Sequence, residues 1–330
     1  MMSINPTNDY KSNHLDSKLF HYFLACTYRI KYIGNFMIIG YFGDGPWAHA
    51  TLTELLSDAS LEIAFICVRF ESPDQTLRHI AIKNNIPFIC HENINSSDFF
   101  SSIENYDCEL FISMSFNQIF KTSLIEYPAH GIINCHAGKL PFYRGRNILN
   151  WVLINDEHEF GITVHYIDDG IDTGDIIVQR SFPISDKDNY GTLLEVAYRE
   201  CAPLVIEAVR QIQNGNVVCT PQATIHPVGF YCSPRKQGDE ILDWNQTSRD
   251  VFNFVRAISH PGPQARTFFR GVELMINKVE LVPYAPVYKG VPGAVLKKDK
   301  NSFLVKTADS FVRVFEWTCD LKIKAGERFK

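Results

Sequence analysis

The chain has 330 residues, 45% of them hydrophobic and 21% charged, with a formal net charge of −5 at pH 7. That length and apolar content support a full buried core divided over two domains. The acidic balance argues against nucleic acid as the main partner, because neutralising a phosphate backbone takes concentrated Lys and Arg, although it leaves room for a local basic pocket. Nine cysteines occur without a C-x-x-C pair or a His/Cys cluster at zinc spacing, so a reduced, cytoplasmic setting without metal is expected.

Residues 1–36 do not share the pattern of the rest of the chain. Ser3 to Lys18 is polar, and Leu19 to Tyr28 is an apolar run about half the ~20 residues a membrane span requires. Arg29 and Lys31 come after that run rather than before it, and no small-residue cleavage site comes next, so it reads neither as a span nor as a signal peptide. Residues 1–36 are expected to be an extension, with Met37 the true or an alternative start, an α/β domain over 37–225 and a smaller domain over 226–330.

From Met37 strands and helices alternate. Met37–Phe42, Ile63–Val68, Pro87–Ile89 and Leu110–Ser113 read as strands, with helices over Trp47–Ser57 and Thr76–Asn84 between them. Such alternation predicts a doubly wound, mostly parallel sheet with right-handed crossovers. Gly43-Asp44-Gly45 lacks the third glycine of a dinucleotide fingerprint, and no acidic residue caps a second strand at the expected distance, so a nicotinamide role is not supported. Met114-Ser115-Phe116 lies at the carboxyl end of a strand, where such sheets bind ligands, although Met114 and Phe116 read equally well as core.

Gly131–His136 is the next strand, and side chains two apart on it share a face, so Asn134 and His136 enter one pocket together. Gly138, Pro141 and Gly145 then make an irregular loop in which backbone can approach a ligand. Ile162–Ile167 and Ile176–Gln179 are β-prone runs flanking the turn-rich Asp168-Asp169-Gly170-Ile171-Asp172-Thr173-Gly174, which can aim Asp172 back at His136, 36 residues earlier. An amide and an imidazole can meet the negative charge developing on a carbonyl oxygen, and a carboxylate can orient the imidazole or accept a proton. These are the groups that acyl transfer to an amine requires.

Asn189–Gln213 reads as one long amphipathic helix closed by Asn214-Gly215. Beyond it come Tyr231 to Lys236, Ile241-Leu242-Asp243-Trp244, a helix over Ser248–Ile258 and the stop His260-Pro261-Gly262-Pro263. Alternating strands then run over Gly271–Val282, Gly293–Leu296, Ser302–Lys306 and Ser310–Trp317.

The string Asn134-Cys135-His136, Leu140-Pro141, Arg144-Gly145, Gly161-Ile162-Thr163-Val164-His165 and Asp172-Thr173-Gly174-Asp175 resembles the signature of the folate-dependent formyltransferases. The resemblance runs from about Met37 to about Phe268. It implies a Rossmann-like catalytic domain with a mainly-β, OB-like C-terminal domain, 10-formyltetrahydrofolate as formyl donor and no metal. Asn134, His136 and Asp172 become the catalytic trio. Met114, Ser115, Phe116, Asp168 and Gly170 become folate contacts. Gly45, Trp47, Lys139, Tyr143, Arg144, Arg146, Asn147, Tyr231, Arg235 and Lys236 become acceptor contacts. Arg256 is a further candidate for a pyrophosphate, and Phe230 or Trp244 for a nucleobase, with Trp244 read first as a core anchor.

Where the transfer-RNA branch has His-x-Ser-Leu-Leu-Pro, this chain has His136-Ala137-Gly138-Lys139-Leu140-Pro141. That version looks like the enzymes that formylate amino sugars on a nucleoside diphosphate. The basic insertion of the transfer-RNA enzyme is also missing, Val68 to Pro87 being short and of mixed charge. The leading expectation is a cytoplasmic, homodimeric N-formyltransferase acting on a dTDP-linked 4-amino- or 3-amino-dideoxyhexose for surface polysaccharide. Formylation of methionyl-tRNA stands second, and a non-catalytic sugar-nucleotide binding module third.

Overall fold

A computed structural model describes residues 36–330, so the expectations for residues 1–35 lie outside the described residues. The first sheet has seven strands: β1 (Met37–Gly43), β2 (Leu61–Val68), β3 (Phe88–Cys90), β4 (Leu110–Met114), β5 (Ile132–His136), β7 (Glu159–Tyr166) and β8 (Ile176–Pro183). Their spatial order is β3-β2-β1-β4-β5-β7-β8, and β6 (Arg144–Gly145) pairs outside this sheet. The first five run parallel, as the strand-helix alternation predicts. Beyond β5 the sheet turns antiparallel: β7 runs back against β5 after the helix Ile148–Ile154, and β8 runs back against β7 because only the loop 167–175, with no helix, joins them.

Both faces of the central strands are covered, which is why they read as continuous apolar runs rather than alternating ones. Ile39, Tyr41, Ile112 and Met114 face the helices Gly45–Ser57 and Tyr190–Gln213. Phe42, Phe65 and Phe111 face the opposite core with Phe99 and Phe120. Gly40 admits those rings: a Cβ there would stand 2.6 Å from both Phe111 and Phe65. The long helix begins at a reciprocal cap between Asn189 and Thr192 and continues through Pro203.

Among the short pieces that escape the sequence pattern are three helices and a strand. Helices over Ser97–Ile103, Thr122–Ile125 and Ile148–Ile154 span only four to seven residues, too few for a helical period to declare itself. The strand is β10 (Ala265–Phe269), pairing with β11 (Val272–Leu281). The C-terminal antiparallel sheet therefore has five strands in the order β10-β11-β14-β13-β12, with β12 at Val295–Lys298, β13 at Phe303–Lys306 and β14 at Phe311–Thr318.

Two features join this sheet to the first. The helix Ser248–Ile258, capped reciprocally by Thr247 and Asp250, packs between β11 and the helix Ile148–Ile154, and Asn150 donates to the carbonyl of Ala257 at 2.6 Å. Arg249 grips Asp156 through two nitrogens and reaches Asp186 at 2.7 Å. Farther along, β6 pairs in parallel with β9 (Tyr231–Cys232), tying the loop after His136 to the segment beyond the long helix.

Gly145 sits in that ladder at φ 101°, where a Cβ would lie 2.4 Å from the carbonyl oxygen of Cys232. Gly145→Ala is expected to lower unfolding free energy by roughly 2–4 kcal/mol in urea titrations, from left-handed strain plus the collision. Gly215→Ala, at φ 64° with open space around it, is expected to cost about 1 kcal/mol.

Candidate active site

Strand register assembles the site. In the antiparallel pairing of β5 with β7, Asn134 stands opposite His165 and His136 opposite Thr163. Asn134 and His136 share a face by the period of two, and His165 joins them from the neighbouring strand. The loop after β7 then brings back Asp172, which holds a left-handed φ of 53°. One carboxylate oxygen accepts the N–H of Gly145 at 2.8 Å and lies 3.7 Å from His136 Nδ1. The other lies 3.6 Å from His165 Nε2.

The hydrogen bonds fix which ring atoms are free. His136 Nε2 lies 2.7 Å from the carbonyl oxygen of Tyr143, which can only accept, so that nitrogen carries a hydrogen. Nδ1, facing Asp172, is therefore the atom that can take or give a proton. Similarly, His165 Nδ1 donates to the carbonyl of Tyr166 at 2.7 Å, leaving Nε2 to accept from the Asn134 amide at 3.2 Å. One N–H of Asn134 is engaged in this way, and the other remains for an oxygen outside the protein. His165 is absent from the sequence-derived site. The available signal is a histidine in an apolar strand two positions from Thr163, but its value depends on a cross-strand register.

Burial alone would raise the Asp172 carboxyl. The charge of His136, the approach of His165 and the Gly145 N–H outweigh it and hold this group well below the usual carboxylate range. The close fit extends to Gly138, where a Cβ would stand 2.5 Å from His136 Nε2 and 2.7 Å from the Tyr143 carbonyl.

The remaining candidates divide sharply. Arg144 is a buried bracket rather than an acceptor contact: it donates through Nε and Nη2 to Gln222 at 3.0 and 2.7 Å, through Nη1 to the Val228 carbonyl at 3.1 Å, and lies over the Tyr231 ring. Tyr143 contributes its carbonyl, while its hydroxyl turns to Glu157 at 2.6 Å. Lys139 pairs with Glu159 at the far end of β7 from His165. Arg256 is buried on Asn253 and the Ser185 carbonyl, and Trp244 is a core anchor donating to Thr267 at 3.0 Å. Trp47 packs edge-on against Tyr198, and the backbone N–H of Gly45 is held by Asp74.

Of the folate candidates, Met114 is buried with its carbonyl on Asp44 N–H, and Phe116 packs on Phe42 and Phe120. Ser115 adopts φ 57° with its carbonyl bound by Arg69. Asp168 accepts from Gly170 N–H and the Thr173 hydroxyl, so it and Gly170 shape the Asp172 loop. Around the β6–β9 ladder, Asn147 accepts from the Arg235 N–H, and Arg235 is drawn over Trp151 and Phe254 while donating to the Asp239 carbonyl. Tyr231 and Phe230 are exposed there, Phe230 lying against Tyr143. The exposed side chains of Arg146 and Lys236 have no hydrogen-bond or ion-pair partner among the described residues. Nor do those residues include a group of three or more His, Cys, Asp or Glu placed to hold a metal.

A seven-stranded sheet with Asn134 and His136 on β5 and Asp172 on the loop after β7, joined to a five-stranded antiparallel sheet, agrees with comparison to known proteins. The formyl transferase profile matches residues 37–208 and the formyl transferase C-terminal domain profile matches 235–325, so the chain belongs to the formyl transferase family and is an N-formyltransferase. Methionyl-tRNA formyltransferase of Thermodesulfovibrio yellowstonii is 31% identical over 238 residues, 72% of this chain and 74% of that protein. The enzyme of the same name from Pelotomaculum thermopropionicum is 32% identical over 232 residues, 70% and 72% of the two chains.

Among solved structures, the sugar 3N-formyl transferase WlaRD, crystallised with dTDP and 5-N-formyl-THF, shares the fold at TM-score 0.63 and 23% identity, over 88% of this chain and all of that one. An N-formyltransferase from Helicobacter canadensis, in complex with folinic acid and dTDP-3-aminofucose, gives TM-score 0.61 at 23% identity, covering 85% and 99%.

The depressed Asp172 carboxyl stabilises the fold above its unfolded value of about 3.9, and that contribution is lost as pH falls through the lower folded value. The stability gap between wild type and Asp172→Asn in urea titrations is therefore expected to be widest near neutrality and to close below pH 3.8.

Proposed function

We propose that this N-formyltransferase moves the formyl group of 10-formyltetrahydrofolate to the amine of a nucleotide-linked amino sugar, such as dTDP-4-amino-4,6-dideoxyglucose or its 3-amino isomer. The observation that carries the acceptor class is the charge around the β6–β9 ladder. Arg146 follows Gly145, whose N–H holds Asp172, and Lys236 lies four residues past Cys232, the ladder partner of Gly145; neither side chain has a partner among the described residues. Two cations suit the diphosphate of a small acceptor. A polynucleotide asks for an extended row of them. The connection from β2 to the helix Gln75–Asn84 supplies no such row, since Arg69 is paired with Asp44 and the other charges, Glu71 and Asp74, are acidic.

In this reading the neutral acceptor amine adds to the formyl carbon. The second N–H of Asn134 meets the oxygen as it becomes negative. Asp172 draws the amine proton toward the His136 Nδ1 edge, and the Tyr143 carbonyl keeps that ring from turning. His165 orients the Asn134 amide. The leaving folate nitrogen takes a proton as the bond to the formyl carbon breaks. The fit to a folate rests on the left-handed Ser115, two residues past the Ser113 that pairs with Asn134, and on the exposed Ile171 next to Asp172, which leave backbone and apolar surface for a flat ring.

The second reading, formylation of methionyl-tRNA, is favoured by the names of the sequence relatives. The deciding experiment incubates the protein with 10-formyltetrahydrofolate and dTDP-, GDP- and UDP-linked amino sugars, or charged initiator tRNA, and reads products by mass. One formyl mass gained on a single sugar nucleotide is expected, whereas transfer to tRNA alone would overturn the proposal. On the true acceptor, Asn134→Ala is expected to lower kcat by about 100- to 1,000-fold.

A further inference from the structure

Residues 209–234 fall between the two family profiles, yet they reach into the active-site loop. Thr220 bridges Ile176 by a reciprocal pair of backbone bonds of 2.8 and 2.9 Å, and Pro221 then starts the short helix Gln222–Ile225. The side chain of Gln222 is buried, 3% exposed. Its amide nitrogen donates to the main-chain carbonyls of Asp172 and Gly174, each at 2.8 Å. Its amide oxygen accepts both Arg144 bonds. All four hydrogen-bonding places of this amide are filled, two of them by the backbone on either side of Thr173.

We infer that Gln222 is a positioning residue for formyl transfer, acting through Asp172. Asp172 holds a left-handed backbone conformation, which costs free energy that its surroundings must offset. Its carboxylate is fixed by Gly145 N–H, and Arg144, one residue before Gly145, is held by the same glutamine that holds the Asp172 carbonyl. One side chain thereby sets the position of the carboxylate and of the N–H that receives it. A displacement of about 1 Å at a reacting group can cost about 100-fold in rate. The inference rests on Asp172 being catalytic and is independent of which acceptor is formylated.

Gln222→Glu keeps an acceptor for Arg144 and puts an oxygen where the two carbonyls need a donor. Gln222→Met removes both functions at similar volume. Gln222→Glu is expected to lower kcat by about 10- to 100-fold with KM for donor and acceptor within about 2-fold. In an Asp172→Asn background the same change is expected to have little further effect on kcat, because the group it positions is gone. In the substrate-free protein, the His136 and His165 ring resonances are expected to move in Gln222→Glu and Gln222→Met while that of His260 stays. The inference is overturned if the kcat losses from Gln222→Glu and Asp172→Asn multiply, if kcat is unchanged, or if both ring resonances stay in place. An Asp172→Asn enzyme with wild-type kcat would instead sink the catalytic reading of Asp172, and the ring resonances would then decide the clamp alone.

Discussion

The arrangement depends on one carboxylate held among three partners in a place that would ordinarily discharge it. Asp172 is largely buried, and its two oxygens face His136, His165 and the N–H of Gly145. Each partner comes from a different element: β5, β7 and the β6 ladder. A shift of β7 by one residue would turn His165 to the other face of the sheet and leave Asn134 without the acceptor that orients it. The antiparallel pairing at β5 is thus what makes the site: it sets His165 opposite Asn134 and starts the 167–175 loop beside Ile132, from where the loop carries Asp172 back to His136.

Histidine and carboxylate are kept distinct in role by bonds that take no part in the reaction. A carbonyl on His136 Nε2 and another on His165 Nδ1 commit one nitrogen of each ring as donor. The two remaining nitrogens point inward, that of His136 at Asp172 and that of His165 at the Asn134 amide. Gly138 belongs to this device: any Cβ there would push on the His136 ring and the Tyr143 carbonyl at once. Gly138 therefore sits in contact with the imidazole, and its missing Cβ is part of what seats that ring.

Asn134 and His136 could be read from the sequence because a strand's period of two is local, and Asp172 because a turn-rich segment between β-prone runs announces a loop. His165 could not, since its place opposite Asn134 is a fact of pairing between strands. Arg144 shows the opposite failure. Its residue type invites a phosphate contact, and nothing local says that Gln222, 78 residues later, takes both of its strongest donor positions. Lys139 and Arg256 fail in the same way, finding in Glu159 and the Ser185 carbonyl acceptors that only the fold supplies. The central strands were legible from their apolar runs, while β7 and β8 were legible as strands but not in direction, which is set by the absence of a helix between them.

The segment between the two sheets carries more of the site than its lack of a family profile implies. A chain ending at 208, where the first profile stops, would retain Asn134, His136, His165 and Asp172. It would lose the β9 partner of Gly145, the acceptor for Arg144 and the donor to the Asp172 carbonyl. Arg144 would then be a guanidinium in a loop without its acceptors, and the left-handed turn at Asp172 would have one fewer constraint holding it. The catalytic groups lie on the first sheet, but their geometry is closed by chain that has already left it.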